Sequence, residues 1–404
     1  MTQYSHTGIT AEQKALIDLL AQQVFGTASP EQLPDEIGLI LREAEQQSVF
    51  PLMYSGAAAL APQACAAWSV RNLQHISHNF NIINAHYEAH ALLTAAKIRY
   101  TVIKGCASSF YYPNPELRTM GDVDLYVARS DMNRVRACFE TAGYSVSGLD
   151  HPHHWTFERD GVELEAHWVP SGIPAADDGT ILRLFDDLLD RCALKTVAGQ
   201  EMVLPSAFHH GLIMLLHTAN HMTAGGVGLR HLLDWLVFVF SMEEAAFLAC
   251  FEETLRQIGL WDFARALTAV GVEFFGCPAR EFCADLPRKL AEELLADIFD
   301  GGNFGVKNTD RLNQSKLLRD NESRQIDGRS GFSHAFRFLN QRARARFPAS
   351  ERCPLLLPVG WVSVLLNRSR AIRAGKQSKL RLQDTLRGAR SREQLYEQLH
   401  LFEG

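Results

Sequence analysis

The chain has 404 residues, more than a single ordinary hydrophobic core serves, so we expect two or three packed units. Hydrophobic residues make up 47% and charged residues 21%, which excludes a disordered chain and a long coiled coil. The net charge of −6 argues against a dedicated nucleic-acid-binding protein. The sequence holds no run of about 18 apolar residues, so we predict no transmembrane segment.

The cysteines and the first residues indicate the compartment. The opening MTQYSHTGIT lacks the basic-then-apolar pattern of a secretory signal. Eight cysteines are scattered without a C-x-x-C pair or the spacing of a zinc site, which is typical of reduced, buried thiols. They are Cys65, Cys106, Cys138, Cys192, Cys250, Cys277, Cys283 and Cys353. We therefore expect a cytoplasmic protein.

Hydrophobic periodicity divides the chain into four regions. Residues 1–95 carry apolar residues at three- and four-residue spacing, which predicts helices. Within residues 96–175, short β-branched runs accompany a helix and end in a hairpin around Asp160-Gly161. Helical patterns return over 176–300, and residues 301–404 form a basic, mainly helical region. The predicted fold class is therefore α+β, with a small mixed-sheet core embedded in a mainly α-helical chain.

Two aspartates follow a glycine in the segment GDVDLYV. Side chains alternate along a strand, so Asp122 and Asp124 share one face about 7 Å apart, while Val123 faces the core. Two carboxylates on one face repel each other unless a cation lies between them. Mg²⁺ prefers oxygen ligands and often shares its shell with substrate phosphates. The alternative interpretation is an exposed acidic strand that binds nothing.

The hairpin strand VELEAHW supplies a third carboxylate. Glu163, Glu165 and His167 share one face, so either glutamate can join the aspartates if the two strands are neighbours. Three acids around two Mg²⁺ ions suit in-line phosphoryl or nucleotidyl transfer. The third acid can also deprotonate an attacking hydroxyl.

Three motifs together resemble the uncharacterised nucleotidyltransferase family of the polymerase-β-like nucleotidyltransferase superfamily. They are IKGCASSFYYP, RTMGDVDLYV and EAHW, and LRHLLDW is a looser fourth match. The resemblance implies a nucleotidyltransferase α/β core over 96–175 and a helical acceptor-side domain over 176–300. It implies that Asp122, Asp124 and Glu165 are catalytic and hold the metal, because Glu165 stands two residues before His-Trp as in the family.

The same resemblance implies the residues that contact the donor nucleotide. Lys104 and Gly105 occupy the place where better-known members have Gly-Ser, with Ser108 a little later and Arg118 before the aspartates. These four residues are expected to bind the triphosphate, glycine by letting the backbone approach it and arginine by its forked donors. Cys106 follows the glycine directly, which departs from the family pattern. The alternative is that the two cations merely neutralise the acids.

The implied reaction is Mg²⁺-dependent transfer of a nucleoside monophosphate from a nucleoside triphosphate, such as ATP, to an acceptor hydroxyl, with release of pyrophosphate. Two Mg²⁺ ions and the triphosphate donor are the expected cofactors. Two other functions stay open: a protein adenylyltransferase, and a catalytically silent nucleotide-binding or scaffold protein. The acceptor, a small molecule or a protein, the preferred nucleotide and the oligomeric state cannot be read from the residues.

Several residues of the helical region allow more than one role. His217 and His221 lie four apart, so they share a helix face and either bind a metal, line the cleft or pack in the core. Asp234 either pairs with Arg230 at the i,i+4 position or faces the acceptor as a base. The glycine cluster at 225–228 lacks the ending of a phosphate-binding loop, so we interpret it as a flexible turn.

The last region is basic, whereas the rest of the chain is acidic. Residues 301–404 hold 20 Lys and Arg against 9 Asp and Glu, a net +11, whereas residues 1–300 carry −17. We expect this region to dock on the acidic body. The two alternatives are contact with an anionic membrane and contact with RNA.

Overall fold

The structure is a computed structural model. It describes residues 8–308 except 28, 29, 31, 171, 175, 176 and 178, together with 311 and 392–402. The described residues up to 308, with those from 395 onwards, belong to one compact unit. Most of the basic C-terminal region lies outside the described residues, so its docking stays a prediction.

Five helices precede the first strand, as the periodicity predicted. Thr10 begins the first helix with a capping box, in which its side chain accepts from the Gln13 amide and its own amide donates to the Gln13 side chain. Gly26, at φ 70°, ends that helix. The five are α1 Ala11–Phe25, α2 Ile37–Gln46, α3 Phe50–Leu60, α4 Pro62–Cys65 and α5 Ser69–Ala95.

A five-stranded mixed sheet follows, interrupted by two helices. Its elements are β1 Tyr100–Val102, α6 Cys106–Ser109, β2 Val123–Val127, α7 Met132–Thr141, β3 Ser145–Ser147, β4 His154–Arg159 and β5 Val162–His167. The strand order is β1-β2-β5-β4-β3, with β2 and β5 parallel and the other neighbours antiparallel. This sheet within a mainly helical chain confirms the predicted α+β fold class.

The turn of the β4–β5 hairpin fixes the register of the whole acidic strand. Asp160 and Gly161 have φ angles of 52° and 75°, as a type I′ turn requires, and Arg159 pairs with Val162 across it. A slip of one residue would turn every side chain of β5 to the opposite face. The turn therefore decides which glutamate reaches the aspartates.

The second half is helical apart from one hairpin that the sequence analysis missed. Its elements are α8 Thr180–Arg183, β6 Ala193–Val197, β7 Gln200–Leu204, α9 Ala207–Ala224, α10 Leu229–Phe240, α11 Glu244–Gln257, α12 Trp261–Phe274 and α13 Arg288–Gly301. The strands β6 and β7 form a separate two-stranded sheet around a turn at Ala198-Gly199, where both φ angles are positive. Ala at the first turn position gave no sequence signal for this hairpin.

Two hydrophobic clusters hold these elements. One joins the N-terminal helices to α9–α13 and includes Leu395 and Leu399, and the other packs α5 and α7 against the five-stranded sheet. Among the described helices, none is both long and apolar enough to cross a bilayer.

Candidate functional site

A cleft lies between one end of the five-stranded sheet and helices α9 and α10. We call its two walls the sheet side and the helix side. The sheet side comprises Lys104, Gly105, Ser108, Asp122 and Asp124. The helix side comprises His217, Thr218, Arg230, His231 and Asp234.

The structure brings the three predicted acids together. Asp122 immediately precedes β2 and Asp124 lies within it, and the parallel pairing sets Asp124 opposite Glu165 on β5. One oxygen from each of the three carboxylates lies within 4.8 Å of the others. Glu163 is exposed and lies opposite Glu158 on β4. Of the two glutamates that shared a predicted strand face, Glu165 is therefore the one that joins the aspartates.

Asp124 is the most enclosed of the three acids, with only 2% of its surface exposed, and a lysine and a histidine contact it. Lys104 Nζ lies 2.7 Å and His167 Nε2 2.9 Å from the same oxygen, Oδ1. Burial opposes ionisation of Asp124, but Lys104 and His167 outweigh it and hold its pKa far below the usual range. Asp124 is ionised at neutral pH.

His167 bridges two of the acids. Its Nε2 also lies 2.9 Å from an oxygen of Glu165. Burial would lower the pKa of His167, but its hydrogen bonds to Asp124 and Glu165 raise it above the ordinary value. Burial likewise opposes ionisation of Glu165, yet His167 lowers its pKa on balance. Glu165 is therefore an ionised carboxylate at neutral pH.

Asp122 carries the charge that the surrounding residues leave uncompensated. Repulsion from Asp124, together with burial, raises the pKa of Asp122 to about 6, despite the opposing charge of Lys104. A divalent cation that contacts oxygen from all three acids would remove that repulsion. The donor set and its excess negative charge therefore fit Mg²⁺.

A second group of donors includes histidines to which the sequence analysis gave no role. His154 lies opposite His167 in the β4–β5 hairpin, and its Nε2 is 3.4 Å from Glu165 Oε1. Donor atoms of His154, Glu165 and His167 lie within 4.8 Å of one another. Such a nitrogen–oxygen set suits Zn²⁺ or Mn²⁺ better than Mg²⁺. The run His-Pro-His-His at 151–154 was the sequence signal.

The predicted phosphate-binding segment leads from β1 into α6. Gly105 has φ +46°, a backbone conformation that favours glycine, at the turn between β1 and α6. Ser108 is buried and lines the cleft. Burial raises the pKa of the Cys106 thiol to about 12, so Cys106 is a neutral core residue. The departure from the family pattern at Cys106 thus falls on the buried face.

Arg118 is held by Asp234. Its Nε and Nη2 donate to the two carboxylate oxygens at 2.7 and 2.6 Å, and the Tyr112 hydroxyl donates to Oδ1 at 2.9 Å. Burial opposes the charge of Arg118, but Asp234 raises its pKa well above the ordinary value. The expected i,i+4 pair of Asp234 with Arg230 is therefore wrong, because a residue 116 positions away takes both oxygens. The role of Arg118 towards phosphate stays a prediction.

The three histidines of α9 and α10 form a cluster of neutral rings. The ring centroids of His217 and His221 lie 4.3 Å apart, those of His217 and His231 6.0 Å, and Phe304 lies 4.7 Å from His221. Burial lowers the pKa of His221 to about 4 and holds those of His217 and His231 well below the ordinary value. Across the described part of the chain, the possible metal groups do not include these histidines.

The glycine cluster at 225–228 serves close packing. A Cβ on Gly228 would lie 2.9 Å from the Asn303 backbone, and one on Gly305 would lie 2.5 Å from the Gly225 oxygen. Only glycine allows the two segments to approach this closely. The flexible turn that we expected is therefore a tightly packed junction that places Phe304 at the rim of the cleft.

Comparisons with known proteins agree with the motifs. The sequence profile of a family described as uncharacterised nucleotidyltransferase matches residues 34–276. The comparison with curated proteins found no match. The solved structure of an antigenic nucleotidyltransferase-like protein from Paracoccidioides brasiliensis aligns over 49% of this chain and 94% of its own, at 13% identity and a TM-score of 0.29.

Proposed function

The chain belongs to the uncharacterised nucleotidyltransferase family, and we propose that it transfers a nucleoside monophosphate from a nucleoside triphosphate to an acceptor hydroxyl. In this reaction the acceptor oxygen forms a bond to the α-phosphorus, the bond to the β-phosphate oxygen breaks, and pyrophosphate leaves. The observation that carries the proposal is the cluster of Asp122, Asp124 and Glu165, whose oxygens lie within 4.8 Å of one another, with the two aspartates lining the cleft. The seven described free cysteines support a cytoplasmic location.

The acids and Lys104 would have different roles in this reaction. Asp122, Asp124 and Glu165 would hold two Mg²⁺ ions, and magnesium bound there neutralises charge on the phosphate oxygens. Glu165 is ionised, so it can accept the proton of the acceptor hydroxyl. Lys104 is cationic, because its contact with Asp124 outweighs burial and raises its pKa.

The remaining predicted contacts surround the triphosphate. Gly105 brings the backbone of the turn close to Asp122, and Ser108 lines the same cleft, so both can approach phosphate oxygens. Arg118 contributes through the donors that Asp234 does not occupy. Together they orient the donor nucleotide while the acids activate the acceptor.

The test is incubation of the protein with α-labelled nucleoside triphosphates, Mg²⁺ and either a metabolite pool or cell proteins. We expect label on an acceptor and one pyrophosphate released per transfer, both absent with the Asp124→Asn variant. Label on proteins alone would identify a protein adenylyltransferase. Nucleotide binding without pyrophosphate release under any condition would contradict transfer and indicate a silent nucleotide-binding protein.

A further inference from the structure

Arg230 is a half-buried arginine at the cleft that forms no ion pair with the residues that the structure describes. It is the second residue of α10, and its Nη1 donates to the Thr119 carbonyl oxygen at 3.2 Å. Its Cζ lies 5.5 Å from the centroid of the Phe304 ring, which fixes the side chain. Its Nε is buried and makes no hydrogen bond within the described structure. An enclosed donor of a cation without a hydrogen-bond partner is costly, so an anion that accepts from this side chain would stabilise the site.

The neighbouring charges do not neutralise Arg230. Arg118 donates to the same Thr119 oxygen and takes both oxygens of Asp234. Asp234 therefore pairs with only one of the two neighbouring guanidinium groups, and Arg230 keeps its charge without a salt bridge of its own within the described structure. Burial, and then repulsion from Arg118, lower the pKa of Arg230 to about 10, so the group still carries its charge at neutral pH.

The position of Arg230 in its helix adds to this excess. The start of a helix carries partial positive charge, which disfavours a cation and favours an anion. The first two amides of α10 are already used, since Gln47 accepts from Leu229 through its side chain and from Arg230 through its backbone oxygen. An anion bound here would therefore meet the Arg230 side chain, while the helix start contributes through its field.

The opposite charge is exposed to the same cleft. Asp122 on the sheet side forms no ion pair with any residue of the described structure, and both it and Arg230 line the cleft. A ligand that combines a divalent cation with a polyphosphate would compensate both groups at once. Resting on the proposed function, we propose that Arg230 is the main phosphate-binding guanidinium of the site and that Arg118, locked to Asp234, positions it through Thr119.

The test measures binding of inorganic triphosphate in the presence of Mg²⁺, because this probe carries no base or sugar. The variants are Arg230→Met, which keeps the length and apolar contacts, and Arg230→Lys, which keeps the charge without the fork. Arg136→Gln removes an exposed arginine from α7 and is the matched control. Circular dichroism without metal confirms that each protein is folded at the temperature of the binding measurement.

We expect Arg230→Met to weaken triphosphate binding by about 10- to 100-fold, from the loss of one or two charge-assisted hydrogen bonds. Arg230→Lys should bind with intermediate affinity, and Arg136→Gln should bind like the wild type. A folded Arg230→Met protein that binds triphosphate as tightly as the wild type would overturn the role of Arg230 and leave the proposed function standing. A wild type that binds neither inorganic triphosphate nor any nucleoside triphosphate with Mg²⁺ would overturn the proposed function itself.

Discussion

The two sides of the cleft carry opposite imbalances of charge. On the sheet side, repulsion between Asp122 and Asp124 is only partly relieved by Lys104. On the helix side, burial keeps His217, His221 and His231 neutral, and Arg230 has no carboxylate of its own within the described part of the chain. Each imbalance costs stability in the free protein, and a metal–polyphosphate ligand would remove both. The comparison favours a ligand that carries charges of both signs, as proposed above.

Separate replacement of the two aspartates should have the largest effect on activity. It should also distinguish loss of metal binding from loss of stability. Asp122→Asn and Asp124→Asn should each abolish transfer, because each removes an oxygen ligand. Their effects on the metal-free fold should differ. Asp124→Asn leaves Lys104 and His167 without their partner, which should cost about 3–5 kcal/mol, as for other broken buried pairs. Asp122→Asn relieves repulsion and should leave stability unchanged or higher at pH 7.

Pyrophosphate release and denaturant unfolding in EDTA measure the two quantities. An Asp122→Asn enzyme that retained near-normal turnover with Mg²⁺ would remove this residue from the metal site. Equal destabilisation by the two substitutions would contradict the structure, in which Lys104 and His167 contact Asp124 and not Asp122.

The next largest effect distinguishes the two glutamates of β5. Glu165→Gln should slow transfer by about 10²–10⁴-fold, the range for loss of a general base, or more if a metal is lost as well. Glu163→Gln is the matched control, since Glu163 is exposed and lies opposite Glu158. Single-turnover rates at saturating nucleotide compare the variants. The reverse ranking would mean that the hairpin register differs from the one set by Asp160-Gly161.

The sheet side could be predicted from the sequence and the helix side could not. Asp122, Asp124 and Glu165 lie within 45 residues of one another. Strand alternation placed the two aspartates on one face, and the family resemblance selected Glu165 over Glu163. Asp234 instead pairs with Arg118, which lies 116 positions away in the chain. A local helix rule selected Arg230, but tertiary packing supplied Arg118. Arg230 lies in the N-terminal turn of α10, where the helix dipole disfavours a cation, and this was the sequence signal for an unusual role.

A third prediction tests whether Asp234 serves structure. Tyr112→Phe removes the hydroxyl that donates to Asp234 Oδ1 but keeps the two contacts from Arg118. We expect a loss of about 1.5–3 kcal/mol of stability, the range for a hydrogen bond to a charged group, with the KM for nucleotide unchanged. Chemical denaturation and initial rates measure both. A change in rate without a change in stability would instead favour Asp234 as a base that faces the acceptor.

The smallest effects concern how stability varies with pH in the metal-free protein. The folded-state pKa of Asp122 is raised to about 6, so the folded protein holds this proton to a higher pH than the unfolded chain. Its contribution to stability is therefore lost as the pH rises from about 4 through 6. His221 behaves in the opposite way, because its folded-state pKa is lowered to about 4. Its contribution is present above pH 6.5 and is lost as the pH falls from 6.5 through 4.

Two substitutions should therefore change the slope of stability against pH in opposite directions. Between pH 4 and 6, Asp122→Asn removes a group that binds more proton when folded, so stability should rise more steeply with pH. His221→Gln removes a group that binds more proton when unfolded, so stability should rise less steeply. Each change is at most about 1.4 kcal/mol per pH unit, the value for one proton. Urea unfolding in EDTA at closely spaced pH values measures both slopes. If both substitutions changed the slope in the same direction, the two sides of the cleft would not carry opposite imbalances of charge.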